Sequence, residues 1–252
     1  MLSAGTFMAQ RLAGKTALVT GGGTGIGWGI AQALAEEGVK VAIAGRRLPV
    51  VQEAASSWQG QPAMLAHEVD VADRVSVKRL FDWAQQELKQ IDILVNAAGV
   101  NIKTRSMTEM TPEQWDQVMA INSTGVYNCF YAALPEMTKR QDGLIINISS
   151  ISGKRAAPLG GVAYNASKFA VAGLATSVGN EVSKQGVRIT TIFPGEVDTP
   201  ILEHRPQAVT AEHRATMLLP EDFGPIVVAL ALLPPRAHVP ELVIKPTTGY
   251  YV

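Results

Sequence analysis

The chain has 252 residues, 47% of them apolar and 17% charged, a balance that excludes disorder and supplies one substantial core. Lys and Arg number 22 and Asp and Glu 22, so the net charge is zero and a general nucleic-acid or anionic-membrane binder is not expected. Cys129 is the only cysteine, which rules out an internal disulfide or a thiolate metal cluster within one chain and fits a reducing, cytoplasmic setting. Residues 1–12 lack the long apolar stretch of a secretion signal and are read as a flexible arm. A strand is predicted over 16–20 and a helix over 25–37, closed by Gly38. Next come a strand at 39–44, a helix at 48–58, a strand at 62–68, and a helix over 73–88 with Asp73 as N-cap. A strand at 91–95 precedes a helix from 112 to about 139, broken near Ala120. The remainder reads as a strand at 144–148, a helix at 162–184, a strand at 187–193, a helix at 220–233 and a strand at 241–244. The apolar run 226–233 is too short to span a bilayer.

Strand and helix alternate along the whole chain, which demands a parallel sheet covered on both faces. The expected architecture is a doubly wound α/β domain over 1–252, with about seven strands. In such sheets ligands sit beyond the carboxyl ends of the strands. The irregular stretch 195–219 lies there and is read as a lid over substrate, with His204 and Arg205 within it.

Residues 20–27 read TGGGTGIG, between the first strand and the first helix. Gly21, Gly25 and Gly27, with Thr24 and Ile26 between, let main-chain N–H groups approach a pyrophosphate at a helix N-terminus. The second strand ends at Ala44, followed by Gly45, Arg46 and Arg47. A cofactor with a free ribose 2′-hydroxyl usually meets an acid at this point. Two arginines instead suit a 2′-phosphate, so NADP(H) is expected in preference to NAD(H). The bland alternative is a pair of solvated arginines starting a helix.

Tyr164 and Lys168 stand four residues apart at the start of a helix, hence on one face. A free phenol titrates near ~10; a neighbouring ammonium favours the phenolate and is expected to lower that value. Ser149 and Ser150 end the strand at 144–148, where a hydroxyl can donate to a substrate carbonyl oxygen. The four histidines, His67, His204, His213 and His238, are scattered without ligand spacing, so no catalytic metal is expected.

Taken in order, these motifs resemble the short-chain dehydrogenase/reductase family, in its single-domain branch of about 250 residues with a Rossmann-like fold. The marks are TGGGTGIG at 20–27, Asp70, NAAG at 96–99, Asn122, Ser150, YNASK at 164–168 and PGEVDT at 194–199. The resemblance implies that Tyr164 is the general acid in carbonyl reduction and the base in alcohol oxidation. Lys168 would bind the nicotinamide ribose and lower the Tyr164 pKa. Ser150 would polarise the carbonyl, with Ser149 as the alternative, and Asn122 would hold a water linking Lys168 to solvent. Asp70 and Val71 would contact adenine, while Asn96, Ala97 and Gly99 would steady the ribose side. Pro194, Gly195, Val197 and Thr199 would border the nicotinamide. It also implies a homotetramer or homodimer built on the helices at 112–139 and 162–184, and the tail 246–252 is read as packing on a neighbouring subunit.

The expected activity is interconversion of a carbonyl and a secondary alcohol by hydride transfer, with 3-oxoacyl-type ketones among the candidate substrates. A non-catalytic dinucleotide sensor on the same fold is the alternative. A sugar epimerase or dehydratase of the larger relatives would require extra C-terminal sequence.

Overall fold

The computed structural model describes residues 10–249. Strands β1 (Thr16–Thr20), β2 (Lys40–Gly45), β3 (Leu65–Glu68), β4 (Ile93–Asn96), β5 (Gly143–Ile148), β6 (Val187–Pro194) and β7 (Glu241–Ile244) form one sheet. Its order is β3-β2-β1-β4-β5-β6-β7, and every pairing is parallel. The connections carry α1 (Gly25–Glu36), α2 (Leu48–Ser57), α3 (Arg74–Leu88), α4 (Pro112–Met119), α5 (Gly125–Arg140), α6 (Val162–Val182), α7 (Ala211–Arg214) and α8 (Gly224–Leu232).

Successive strand residues face opposite sides of a sheet, and here both sides are buried. Ala17, Val19, Val41, Ile43, Ile93 and Val95 pack with Ile30 and Leu34 of α1 and Val227 and Val228 of α8. Leu18, Ala42, Leu94 and Ile145 pack with Leu80 of α3, Phe130 of α5 and Val171 of α6. This double burial is why the strands read as unbroken apolar runs rather than alternating ones. After β3 the chain returns across β1 to place β4 on its other side. That reversal opens a crevice at the carboxyl ends of β1 and β4, where the site lies.

Several elements differ from their predicted bounds. β3 begins at Leu65, not at residue 62: Pro62 has no N–H to give β2, and its carbonyl accepts from Trp58 Nε1 at 3.1 Å. β4 begins at Ile93 because the preceding Asp92 turns its carboxylate onto Thr16 N (2.9 Å) and Thr16 Oγ1 (3.1 Å). The helix expected to break near Ala120 is interrupted there, with α4 ending at Met119, though by a change of helix type rather than a turn. Ala120 keeps helical angles, and a wide π turn over Ala120–Thr124 joins α4 to α5. The last helix opens as a 3-10 turn, Pro220–Phe223, before α8.

Asp73 caps α3, accepting from Val75 N and Ser76 N. The end of the amino-terminal arm is docked rather than loose: Leu12 is buried, its N–H donates to Glu37 O at 3.0 Å, and Arg11 pairs with the Glu37 carboxylate. Residues 1–9 lie outside the described residues, as do 250–252, the aromatic end of the tail. Among the described residues no helix is long and apolar enough to cross a membrane.

Candidate active site

A cleft of about 520 Å³ runs across the carboxyl ends of the central strands, beside a smaller cavity of about 160 Å³ near the end of β2. The glycine loop forms one wall. Gly21 has φ +67°, and a Cβ there would stand 2.6 Å from Ala98 N; a Cβ on Gly27 would stand 2.3 Å from Gly21 O. Only glycine therefore lets loop and helix close to this distance. Thr24 precedes α1 without a side-chain cap, and no acid occupies the first turn. The leading N–H groups of α1 are thus left for an anion, as a dinucleotide pyrophosphate requires.

Most predicted cofactor residues converge on these two spaces. Gly21, Thr24, Gly25, Ile26 and Gly27 line the cleft, as do Ala97, Gly99, Pro194, Gly195, Val197 and Thr199. Asp70 and Val71 line the smaller cavity, where Asp70 Oδ1 accepts from Ala72 N at 2.9 Å. Arg46 and Arg47 border both spaces, exposed and without an ion pair among the described residues.

Asn96 does not itself line the cleft, and its side chain bridges two strands. It is buried, and its Nδ2 donates to Asn147 Oδ1 at 2.9 Å, tying β4 to β5 where the two residues stand in register.

The proposed proton-transfer groups gather at the middle of the cleft. Lys168 is buried, and its Nζ donates to Ile148 O at 2.9 Å and lies 5.5 Å from the Tyr164 ring centroid. Burial drives its pKa from 10.5 down to about 8. The two serines separate clearly. Both line the cleft, but Ser149 Oγ donates to the Lys168 carbonyl at 3.1 Å, whereas Ser150 hydrogen-bonds the Tyr164 phenol and its Oγ accepts from Ser152 N at 3.1 Å.

The expected lowering of the Tyr164 pKa is not met. Burial raises it, and the opposing effects, the Ser150 hydrogen bond and then the charge of Arg105, do not overcome burial. Besides Lys168, the charge of Arg105, a residue the motifs do not single out, acts on the phenol; only its place in the loop beyond β4 hints at the cleft.

Asn122 sits in the π turn, fully buried. Its Oδ1 accepts from Val100 N (2.8 Å), and its Nδ2 donates to Val100 O (2.9 Å) and Ser167 Oγ (3.0 Å). Both amide protons are used in fixing the strand-end loop against α6. A Cβ on Gly99 would stand 3.5 Å from Asn122 Oδ1 and 3.6 Å from Lys168 Nζ, ordinary contact distances that place this loop residue beside both groups.

The lid has structure of its own. Val197 pairs with Leu218 as an isolated parallel bridge, a 3-10 turn covers Pro200–His204, and Glu196 pairs with Arg205 (2.6 Å) and His213 (2.9 Å). His204 and Arg205, which as sequence read more readily as solvated loop residues, both line the cleft.

Comparison with known proteins agrees with this architecture. The family described as short chain dehydrogenase matches residues 15–210. An uncharacterized oxidoreductase of Staphylococcus aureus is 34% identical over 238 residues, 93% of this chain and 98% of that protein. Among solved structures, serine dehydrogenase in its closed form with NADP+ has a TM-score of 0.85 and 28% identity, covering 94% of this chain and 96% of the other. The 3-ketoacyl-(acyl-carrier-protein) reductase from Brucella melitensis, complexed with NADH, has a TM-score of 0.82 and 26% identity over 93% of this chain and 98% of the other. The chain belongs to the short-chain dehydrogenase/reductase family and is a nicotinamide-nucleotide-dependent oxidoreductase.

Proposed function

We propose that this enzyme interconverts a ketone and a secondary alcohol with NADP(H), using Tyr164 as the proton-transfer group. The convergence of Tyr164, Ser150 and Lys168 on the cleft that begins at the glycine loop carries this reading. The nicotinamide supplies the hydride in reduction and accepts it in oxidation. The neutral phenol of Tyr164 gives its proton to the carbonyl oxygen as that oxygen gains charge. Ser150 donates a hydrogen bond to the same oxygen, which stabilises the developing alkoxide. Lys168 would hold the ribose hydroxyls and, as an ammonium, stabilise the phenolate left when Tyr164 gives its proton to the substrate oxygen. Asn122 fixes the Val100 loop beside Lys168 and positions a water that connects it to solvent. Ketones of 3-oxoacyl type head the substrate panel, since the structural neighbours include a 3-ketoacyl reductase.

The preference for NADP(H) rests on Arg46 and Arg47, two unpaired guanidiniums where the second strand ends. At equal, low concentrations NADPH is expected to be used faster than NADH. Replacing both arginines by Ala should lower kcat/KM for NADPH about 10- to 100-fold, the worth of one or two charge-assisted hydrogen bonds. The value for NADH should hardly change. Faster turnover with NADH in the unaltered enzyme would overturn the assignment. The exposed side chains of Tyr127, Tyr131 and Phe169 on α5 and α6 support assembly into a homotetramer or homodimer through these helices.

A further inference from the structure

We propose that Arg105 reads a carboxylate on the substrate, so that the preferred carbonyl compound is an oxo acid rather than a neutral ketone. The proposal deepens the carbonyl–alcohol reading and rests on it. Arg105 lies in the loop between β4 and α4 and lines the same cleft as Ser150 and Tyr164. Its stem packs on Gly161, just before the helix that carries Tyr164: a Cβ built on Gly161 would come within 2.6 Å of Arg105 Cβ. Its main-chain carbonyl accepts from Val162 N at 3.1 Å.

The guanidinium is held from three directions. Nε donates to Ile102 O at 3.1 Å, Nη2 to His204 O at 3.0 Å, and Nη1 to Leu159 O. All three acceptors are uncharged. A guanidinium has five N–H donors, so one remains on each terminal nitrogen, and two donors match the two oxygens of one carboxylate. A phosphate could take the same two N–H groups, but its third oxygen and second charge would stay unmatched by this side chain.

The charge balance points the same way. Arg205, whose charge Arg105 feels, is already paired with Glu196, and that carboxylate also meets His213. Arg105 has no carboxylate within ion-pair distance among the described residues. A half-buried cation held only by carbonyls, beside the group that delivers the proton, is an anion receptor. An oxo acid bound there brings its carbonyl toward Tyr164 and Ser150 with its carboxylate on Arg105.

The test compares a set of 2- and 3-oxo acids with their ethyl esters, using wild-type protein, Arg105→Met and Arg105→Lys. Wild type is expected to show at least about tenfold higher kcat/KM for one acid over its ester. Arg105→Met should raise KM for the acid far more than for the ester, so that the acid-to-ester ratio of kcat/KM falls to about one whatever the change in kcat common to both, and Arg105→Lys should recover part of the ratio. A merely structural clamp would move acid and ester together, and that result overturns the proposal. So does ester turnover without acid preference, although carbonyl–alcohol chemistry then stands.

Binding is read separately, as the rise in melting temperature of NADP+-saturated protein on adding a 3-hydroxy acid, its amide or a phosphate monoester. The expected rise is with the acid alone and disappears in Arg105→Met. No rise with any acid, or a larger rise with the phosphate, overturns the carboxylate assignment. A rise that depends on Arg105 without turnover of any ketone upholds the anion site and overturns the hydride-transfer reading instead.

Discussion

Replacing Tyr164 by Phe is expected to lower kcat/KM about 10³-fold or more, the loss associated with removing a general acid that acts directly on the reacting oxygen. The ring remains, so its packing and the start of α6 are kept, and only the hydroxyl that Ser150 contacts is lost. NADP(H) affinity, measured by fluorescence titration, should change less than about twofold, because no cofactor contact is assigned to the phenol alone. Loss of NADPH absorbance reads the turnover. Activity within tenfold of the unaltered enzyme would remove Tyr164 from the mechanism. The direction of its pKa adds a second signature. Burial favours the protonated phenol, which suits carbonyl reduction at neutral pH. Alcohol oxidation needs the phenolate, so its kcat/KM should climb as pH rises above neutrality.

Lys168→Met is expected to make the ligand-free protein more stable at pH 7 while removing most of its activity. Burial lowers the Lys168 pKa from 10.5 to about 8. Between those values the unfolded chain binds a proton that the folded chain does not, so stability rises with pH across that window. Below about pH 8 the whole penalty is present, about 3 kcal/mol for the difference between the two pKa values. Methionine has similar length and no charge. It removes the penalty and sacrifices the bond to Ile148 O, which contributes about 1 kcal/mol. A net gain of about 2 kcal/mol corresponds to a rise of about 4–8 °C in Tm for a chain of this size. The gain should shrink as pH rises above about 8, reach zero at about pH 10 and turn into a small loss above about 10.5, where only the missing bond to Ile148 O counts. Equal or lower Tm at pH 7 with no pH dependence would contradict the description of Lys168 as a buried ammonium. A residue kept at such a cost to folding is explained by what it does in the cleft.

The strands and the proton-transfer pair were legible because they depend on local pattern. Double burial makes each strand an apolar run, and a four-residue step places Tyr164 and Lys168 on one helical face whatever surrounds them. The π turn over Ala120–Thr124 was not legible, because the apolar spacing of a helix is nearly the same with or without one wide turn. The partner of Asn96 was not legible for a different reason. Asn96 belongs to a motif at a strand end, but its amide points along the sheet to Asn147, a residue 51 positions later. Arg105 shows the limit most clearly. Its environment is made of carbonyls at Leu159 and His204, 54 and 99 residues away, and only the folded chain brings them together. The choice between Ser149 and Ser150 also waited on the fold, since two adjacent hydroxyls at a strand end differ only in which neighbours they meet.

A crystal structure of the enzyme with NADP+ and an unreactive alcohol or ketone analogue tests the central claim most directly. The nicotinamide ring is expected within hydride-transfer distance of the reacting carbon, with the ligand oxygen hydrogen-bonded to both Tyr164 and Ser150. A ring seated away from Tyr164, with the ligand oxygen held by other groups, would contradict that claim.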